Sequence, residues 1–207
     1  RELVSLITDS SGFALVRSGW GGEKPRRLAG TPLRGWRLHS AGKNVFVSQD
    51  PASTVAGYAY EVETNGTFTP LVRAIPGLTI LPHDTADVLL IGSEGGSVVL
   101  TVQTATSSIQ LPIRTIADKC VWESDNSRIA YCAVPENITS SHFIDEWYRG
   151  TYHTEDAWCK VDARAGTAEL LLSPKSEMSI SLDVSNPKID DEGNYLAFMN
   201  TIDQSLW

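Results

Sequence analysis

HSAGKNVFV (39–47), HDTADVLLI (83–91), ESDNSRIAY (123–131) and DDEGNYLAF (190–198) align without gaps along this chain of 207 residues. In each, a turn rich in Asp, Ser, Gly or Asn is followed by one linking residue and a short apolar run. Those residue types suit tight turns because they tolerate unusual backbone angles or hydrogen-bond their own backbone. With LVSLI (3–7) added, the apolar runs start at Val4, Val45, Val88, Ile129 and Tyr195, at intervals of 41, 43, 41 and 66 residues. Three intervals are nearly constant. The fourth is about 25 residues too long and should hold an insertion.

Working outward, a second short strand precedes each turn, at 35–38, 78–81, 120–122 and 187–189. That makes a first hairpin, strands a and b. A second hairpin follows: 58–63 leads through 64–66 into 67–72, and 158–162 through 163–166 into 167–172, with 97–103 and 108–113 as the middle pair. Gly66 and Gly166 each close a short connection, as a bulged hairpin needing a left-handed residue requires. Four antiparallel strands per ~40 residues is the period of a propeller blade. A sandwich or barrel would not need the same phrase at constant spacing, and no window shows sustained helical periodicity.

The expected fold is therefore all-β: a β-propeller of four-stranded antiparallel blades, present as a partial ring of three whole blades plus two incomplete ones. The blades fall at about 1–31, 32–75, 76–115, 116–175 and 180–207 in a single domain, with the insertion at 135–157 in the fourth. Residues 3–7 read as a strand b with no strand a before it. Trp207 falls where Trp158 begins strand c. With no Met at position 1, the sequence reads as a piece of a longer protein, cut inside a blade at both ends.

DDEGNYLAF and ESDNSRIAY resemble the SPDG-K-x-IAF signature of TolB-type, WD40-like propeller repeats, and VDARAGTAELL (161–171) is similar to their IDVxTGExxxL phrase. The resemblance covers nearly the whole chain and describes scaffold rather than activity. No Gly-His or Trp-Asp dipeptide of WD40 proteins occurs, nor the Asp-box of sialidase-type propellers. What the resemblance implies is a non-catalytic binding platform, frequently exported or facing the cell envelope of bacteria.

Composition bounds the partners. The chain has 25 acidic and 17 basic side chains, a formal charge of −8. Nucleic acid needs a basic footprint, and the short group Lys24, Arg26, Arg27, Arg34 and Arg37 reads as solvated surface. No apolar run approaches the ~18 residues of a membrane helix. No G-x-S-x-G elbow, phosphate-cradling glycine loop or metal-ligand spacing is present, so no catalytic residue, cofactor or metal is assigned.

The insertion carries the candidate site. It places Phe143, Trp147, Tyr148, Arg149 and Tyr152 among several charged residues. Aromatics and Arg are enriched at protein interfaces, so these five are the candidate interaction residues. Equally, the aromatics could fold back as a private core over the blade edge. His142, Asp145, His153 and Asp156 share no recognised metal spacing. His39 and His83 recur at the same place in two repeats, which suits a structural role in the hairpin. Cys120, Cys132 and Cys159 lie on strands a, b and c of one blade; Cys132 could face either neighbour, and free buried thiols are the expected state.

Two functions follow as expectations. The first is a protein-binding scaffold module of a bacterial, envelope-associated protein. The second is the propeller of a prolyl-oligopeptidase-like serine hydrolase, whose catalytic residues would lie outside this chain.

Overall fold

The computed structural model describes residues 2–10, 12–84, 88–123 and 128–207. Its strands form five antiparallel sheets that succeed one another along the chain. Blade 1 holds β1 (Glu2–Asp9), β2 (Gly12–Gly19) and β3 (Arg26–Thr31). Blade 2 holds β4 (Trp36–Ala41), β5 (Asn44–Gln49), β6 (Ala56–Val62) and β7 (Phe68–Pro76). Blade 3 holds β8 (Thr79–Pro82), β9 (Val88–Glu94), β10 (Val98–Thr104) and β11 (Ser108–Gln110). Blade 4 holds β12 (Cys120–Trp122), β13 (Ile129–Pro135), β14 (Asp156–Asp162) and β15 (Thr167–Leu172). Blade 5 holds β16 (Val184–Ile189), β17 (Leu196–Asn200) and β18 (Ser205–Leu206).

Within every sheet the strands lie side by side in sequence order. The first strands of neighbouring blades meet, β4 with β8 and β12 with β16, so they form the inner edge of the arc. This is the expected all-β partial propeller, with three whole blades flanked by a b-c-d blade and an a-b blade that begins its c strand. The turn residues expected at 85–87 and 124–127 lie outside the described residues.

Strand alternation explains how blades stack. Val45 and Val47 of β5 pack toward blade 1 with Phe13 and Leu15, while Phe46 packs toward blade 3 with Leu78 and Ile80. In β9, Leu89 and Ile91 join that second cluster, whereas Val88 and Leu90 face blade 4 with Leu100 and Val161. Ala133, Trp158, Val184 and Phe198 then fill the space between blades 4 and 5. A central strand buried on both faces must be apolar at successive positions, which is why VLLI (88–91) reads as a continuous run rather than an alternating one. The c–d turn of blade 2 ends on Gly66 at φ +87°, where a Cβ would sit 2.0 Å from the carbonyl oxygen of Leu28 in blade 1. Only glycine fits so close a backbone approach with a positive φ.

Two short helices were not legible as helical periodicity. Helix α1 (Phe143–Tyr148) lies in the insertion, and α2 (Pro174–Met178) joins blades 4 and 5. Helix α2 starts from Ser173, whose hydroxyl accepts from the Ser176 N–H, with Pro174 at the first helical position. Both features favour helix initiation.

The cysteines correct an expectation. Cys120 and Cys132 form a disulfide, and Cys159 alone remains a buried thiol. Cys132 lies opposite Cys120 on β12 and opposite Cys159 on β14. In an antiparallel sheet a central residue points its N–H and C=O to one neighbour only, so it forms a narrow pair with the other. The Cα–Cα distance of 4.1 Å identifies Cys120 as that narrow partner.

Candidate functional site

The insertion does not project from the ring. It lies across the end bearing the b–c loops and the d–a connections, and side chains from four blades fasten it there. Blade 3 supplies Glu94, a buried carboxylate at the end of β9. Its two oxygens accept the Phe143 and Ile144 backbone N–H groups at 2.8 and 2.9 Å. These are orphan donors of the first turn of α1, and a carboxylate there also opposes the positive end of the helix. Blade 2 supplies Ser53, whose hydroxyl donates to Asp145 and lies 3.1 Å from His142 Nδ1.

Blades 4 and 5 supply an ionic cluster. Lys119 ends a short 3-10 turn (Ala117–Lys119) and is wholly buried. Its ammonium shares three hydrogens among four acceptors: Asp156 Oδ2 at 2.6 Å, Asp183 Oδ1 at 2.7 Å, Thr154 Oγ1 at 2.9 Å and the Val184 carbonyl at 3.1 Å. It also sits 4.8 Å from the centre of the Trp147 ring, a cation–π contact. Trp147 in turn donates its indole N–H to Asp183 Oδ1 at 2.7 Å. Asp183 further accepts from the hydroxyls of Thr154 and Thr201 and lies 3.0 Å from His153 Nδ1.

The two carboxylates differ in consequence. Burial pushes both upward. For Asp183 the Lys119 charge and the hydrogen bonds from Lys119, Thr201 and Trp147 outweigh it, holding its carboxyl well below the usual range. For Asp156 burial prevails over the same cation and its pKa stays raised; among the described residues its Oδ1 has no hydrogen-bond partner. A third anchor joins α1 to the inner edge: Tyr148 donates to Asp118 Oδ2 at 2.6 Å, with the Arg37 guanidinium 4.1 Å over its ring and 2.8 Å from the same carboxylate. Burial and the nearby Asp118 charge push the Tyr148 hydroxyl well above the ordinary phenol range.

The five candidate interaction residues are therefore placed as follows. Phe143 is buried with Ile144 against Val98 and Ile116, and Trp147, Tyr148 and Tyr152 pack half-buried around them. Arg149 is exposed, its Nε donating to the Asp145 carbonyl at 2.9 Å. The four residues weighed as a metal cluster divide in two: His142 and Asp145 meet Ser53, while His153 and Asp156 join the Lys119 group. His39 Nε2 lies 2.9 Å from Ser48 Oγ across the β4–β5 hairpin, and buried His83 packs edge-on to Trp122. Lys119, Glu94, Asp118 and Asp183 were missed by sequence reasoning. The only signal was a charged residue set in an apolar context, as in the run IADKC (116–120).

An arc of radially stacked antiparallel sheets of three or four strands, with an inserted helix pinned across one end, defines a β-propeller with a built-in clamp. The particular likeness is to TolB from Acinetobacter baumannii, with a TM-score of 0.61, 11% identity, and alignment over 99% of this chain and 50% of that one. An oligogalacturonate lyase in complex with manganese aligns with a TM-score of 0.59 at 9% identity, over 99% of this chain and 60% of that one. The chain thus spans about half of the first and three-fifths of the second, and the likeness is one of fold. No protein-family model matches the chain, and no curated protein matches it in sequence. Among the described residues no helix is long and apolar enough to cross a membrane.

Proposed function

We propose that this chain is a non-catalytic binding module that meets a protein partner with the clamped end of its ring. The observation that carries this reading is the attachment of α1 to four blades. A helix held that way presents its outer side, including Arg149, in one conformation, so little ordering cost remains on association. The Ser53 trio supports the non-catalytic half. Its hydroxyl donates to a carboxylate, and His142 Nδ1 contacts that same hydroxyl, so the arrangement is a latch rather than a base-activated nucleophile.

An extracytoplasmic, envelope-associated setting is supported by the Cys120–Cys132 bridge, since disulfides persist in oxidising compartments. The TolB-type resemblance points the same way.

The test is a photo-crosslinking residue placed at Arg149 in the full-length protein in its own cells, with Arg164 in the blade 4 c–d turn as control. A defined protein adduct at 149 that is absent at 164 supports the reading. No adduct at 149, or the same adducts at both positions, overturns it.

A further inference from the structure

Blade 2 passes from β6 to β7 through ETNGT (63–67), which contains Asn65, Gly66 and Thr67, an Asn-x-Thr acceptor signal for N-linked sugar. A second such signal, Asn137, Ile138 and Thr139, lies in the insertion. So short a signal is decided by its geometry. Thr64, Asn65 and Thr67 are exposed. Blade 2 is packed on both faces, against blades 1 and 3, so the exposure of its c–d turn belongs to the ring itself.

The turn is held in one shape. The Gly66 N–H donates to the Glu63 carbonyl at 2.8 Å, and the Glu63 N–H to the Thr67 carbonyl at 2.9 Å. Gly66 lies against the Leu28 carbonyl of blade 1, and the Arg26 guanidinium donates to the Thr64 carbonyl at 3.2 Å. In that frame the Thr67 N–H donates to Asn65 Oδ1 at 2.8 Å, closing an Asx turn. The donor must meet the oxygen, so the other end of the amide, Nδ2, points away from the backbone. Among the described residues neither Asn65 Nδ2 nor the Thr67 hydroxyl has a hydrogen-bond partner. The amide nitrogen that would react and the hydroxyl that a transferase reads are both presented to solvent.

Asn137 is exposed too, but its threonine is committed elsewhere. The Thr139 N–H donates to the Tyr152 hydroxyl at 3.1 Å, and the Thr139 hydroxyl lies 3.2 Å from the same oxygen. No N–H is left there to close an Asx turn.

We propose that Asn65, and not Asn137, is the acceptor of an N-linked oligosaccharide. The donor is an oligosaccharide carried on a lipid diphosphate and handled by a transferase outside the cytoplasm. Asn65 Nδ2 attacks C1 of the first sugar and the C1–O bond to phosphate breaks. The lipid diphosphate leaves with the bonding electrons, and an amide proton passes to the transferase's base. Glu63, two positions ahead of the acceptor, supplies the acidic residue that bacterial transferases read with the signal. The Cys120–Cys132 bridge supports the compartment. The c–d turns lie at the end opposite the clamp, so a bulky glycan on Asn65 leaves the clamped end open, whereas Asn137 stands beside it. The assignment is independent of what the clamped end binds.

The test is mass spectrometry of peptides from the full-length protein purified from its own cells. Sugar mass mapped by fragmentation to Asn65, with Asn137 unmodified, supports the proposal. The sugar should be lost from Asn65→Gln and Thr67→Ala and kept by Thr67→Ser, with a thermal melt confirming each fold. Thr67→Ala retains the N–H that closes the Asx turn, so its loss isolates the hydroxyl. A bare Asn65, equal occupancy at Asn137, or sugar that survives Thr67→Ala overturns it. A bare Asn65 in a sample whose Cys120–Cys132 bridge is oxidised sinks the acceptor while leaving the extracytoplasmic reading standing.

Discussion

Lys119 and Asp183, 64 positions apart, meet at 2.7 Å with both side chains wholly buried. This pair joins blade 4 to blade 5 and, through Trp147, to the inserted helix. Deleting the cation would leave two carboxylates without their neutralising partner in a site of low polarity. Lys119→Met is expected to cost about 3–5 kcal/mol, as for other broken buried ion pairs. Urea denaturation checks the value. Adding Asp156→Asn and Asp183→Asn should recover a good part of the loss; no recovery would mean that lost packing, not charge, is responsible.

Glu94 links blade 3 to α1 through two backbone N–H groups. An amide at that position can accept from one of them but points a donor at the other. Glu94→Gln should therefore destabilise the fold by about 1–2 kcal/mol. Hydrogen exchange should accelerate at Phe143 and Ile144 above all; uniform acceleration across the blades would contradict a local role.

The Cys120–Cys132 bridge and the Cys159 thiol make a labelling prediction. Cys159 is buried, and burial pushes its thiol up, so the native protein should resist alkylation. Denaturation without reductant should expose one reactive thiol, and denaturation with reductant all three, counted by mass. The bridge closes a separation of only 12 residues, so Cys120→Ala with Cys132→Ala should cost about 2–3 kcal/mol.

His39 makes a prediction about pH. Burial lowers its imidazole to about 4, with Asp118 opposing and Arg37 reinforcing the shift. Unfolded histidine titrates near ~6.5, so the unfolded chain takes up a proton that the fold refuses. This stabilising contribution is complete above that value and is lost as pH falls from there through about 4. Melting temperatures of wild type should drop across that window more than those of His39→Gln, by the equivalent of roughly 1–3 kcal/mol. Parallel curves for the two proteins would show that His39 is not buried in its neutral form.

The blades were legible because their determinants are local. HSAGKNVFV and DDEGNYLAF announce a turn and a strand through residues a few positions apart, and β5 and β17 form where those phrases place them. The surplus of residues before β14 was legible too, as a break in an otherwise constant interval. The fate of that segment was not. Its aromatics suited an interface as well as a core, and residue type alone does not separate the two. Arg149 is the one of the five candidates that ends up exposed, because α1 turns Phe143 inward, Trp147 and Tyr148 are tied to Asp183 and Asp118, and Arg149 lies just past the helix end.

Periodicity and turn chemistry determined the all-β architecture, the blade count and the presence of an insertion, since each blade is one supersecondary unit repeated along the chain. Tertiary structure alone decided what the insertion does. Lys119 finds Thr154, Asp156, Asp183 and the Val184 carbonyl across separations of 35 to 65 residues. Cys132 chooses Cys120 over Cys159 by which neighbour its backbone hydrogen bonds leave in the narrow pair. A buried charge must find its partners wherever the packed blades bring them, and no spacing in the chain encodes that meeting.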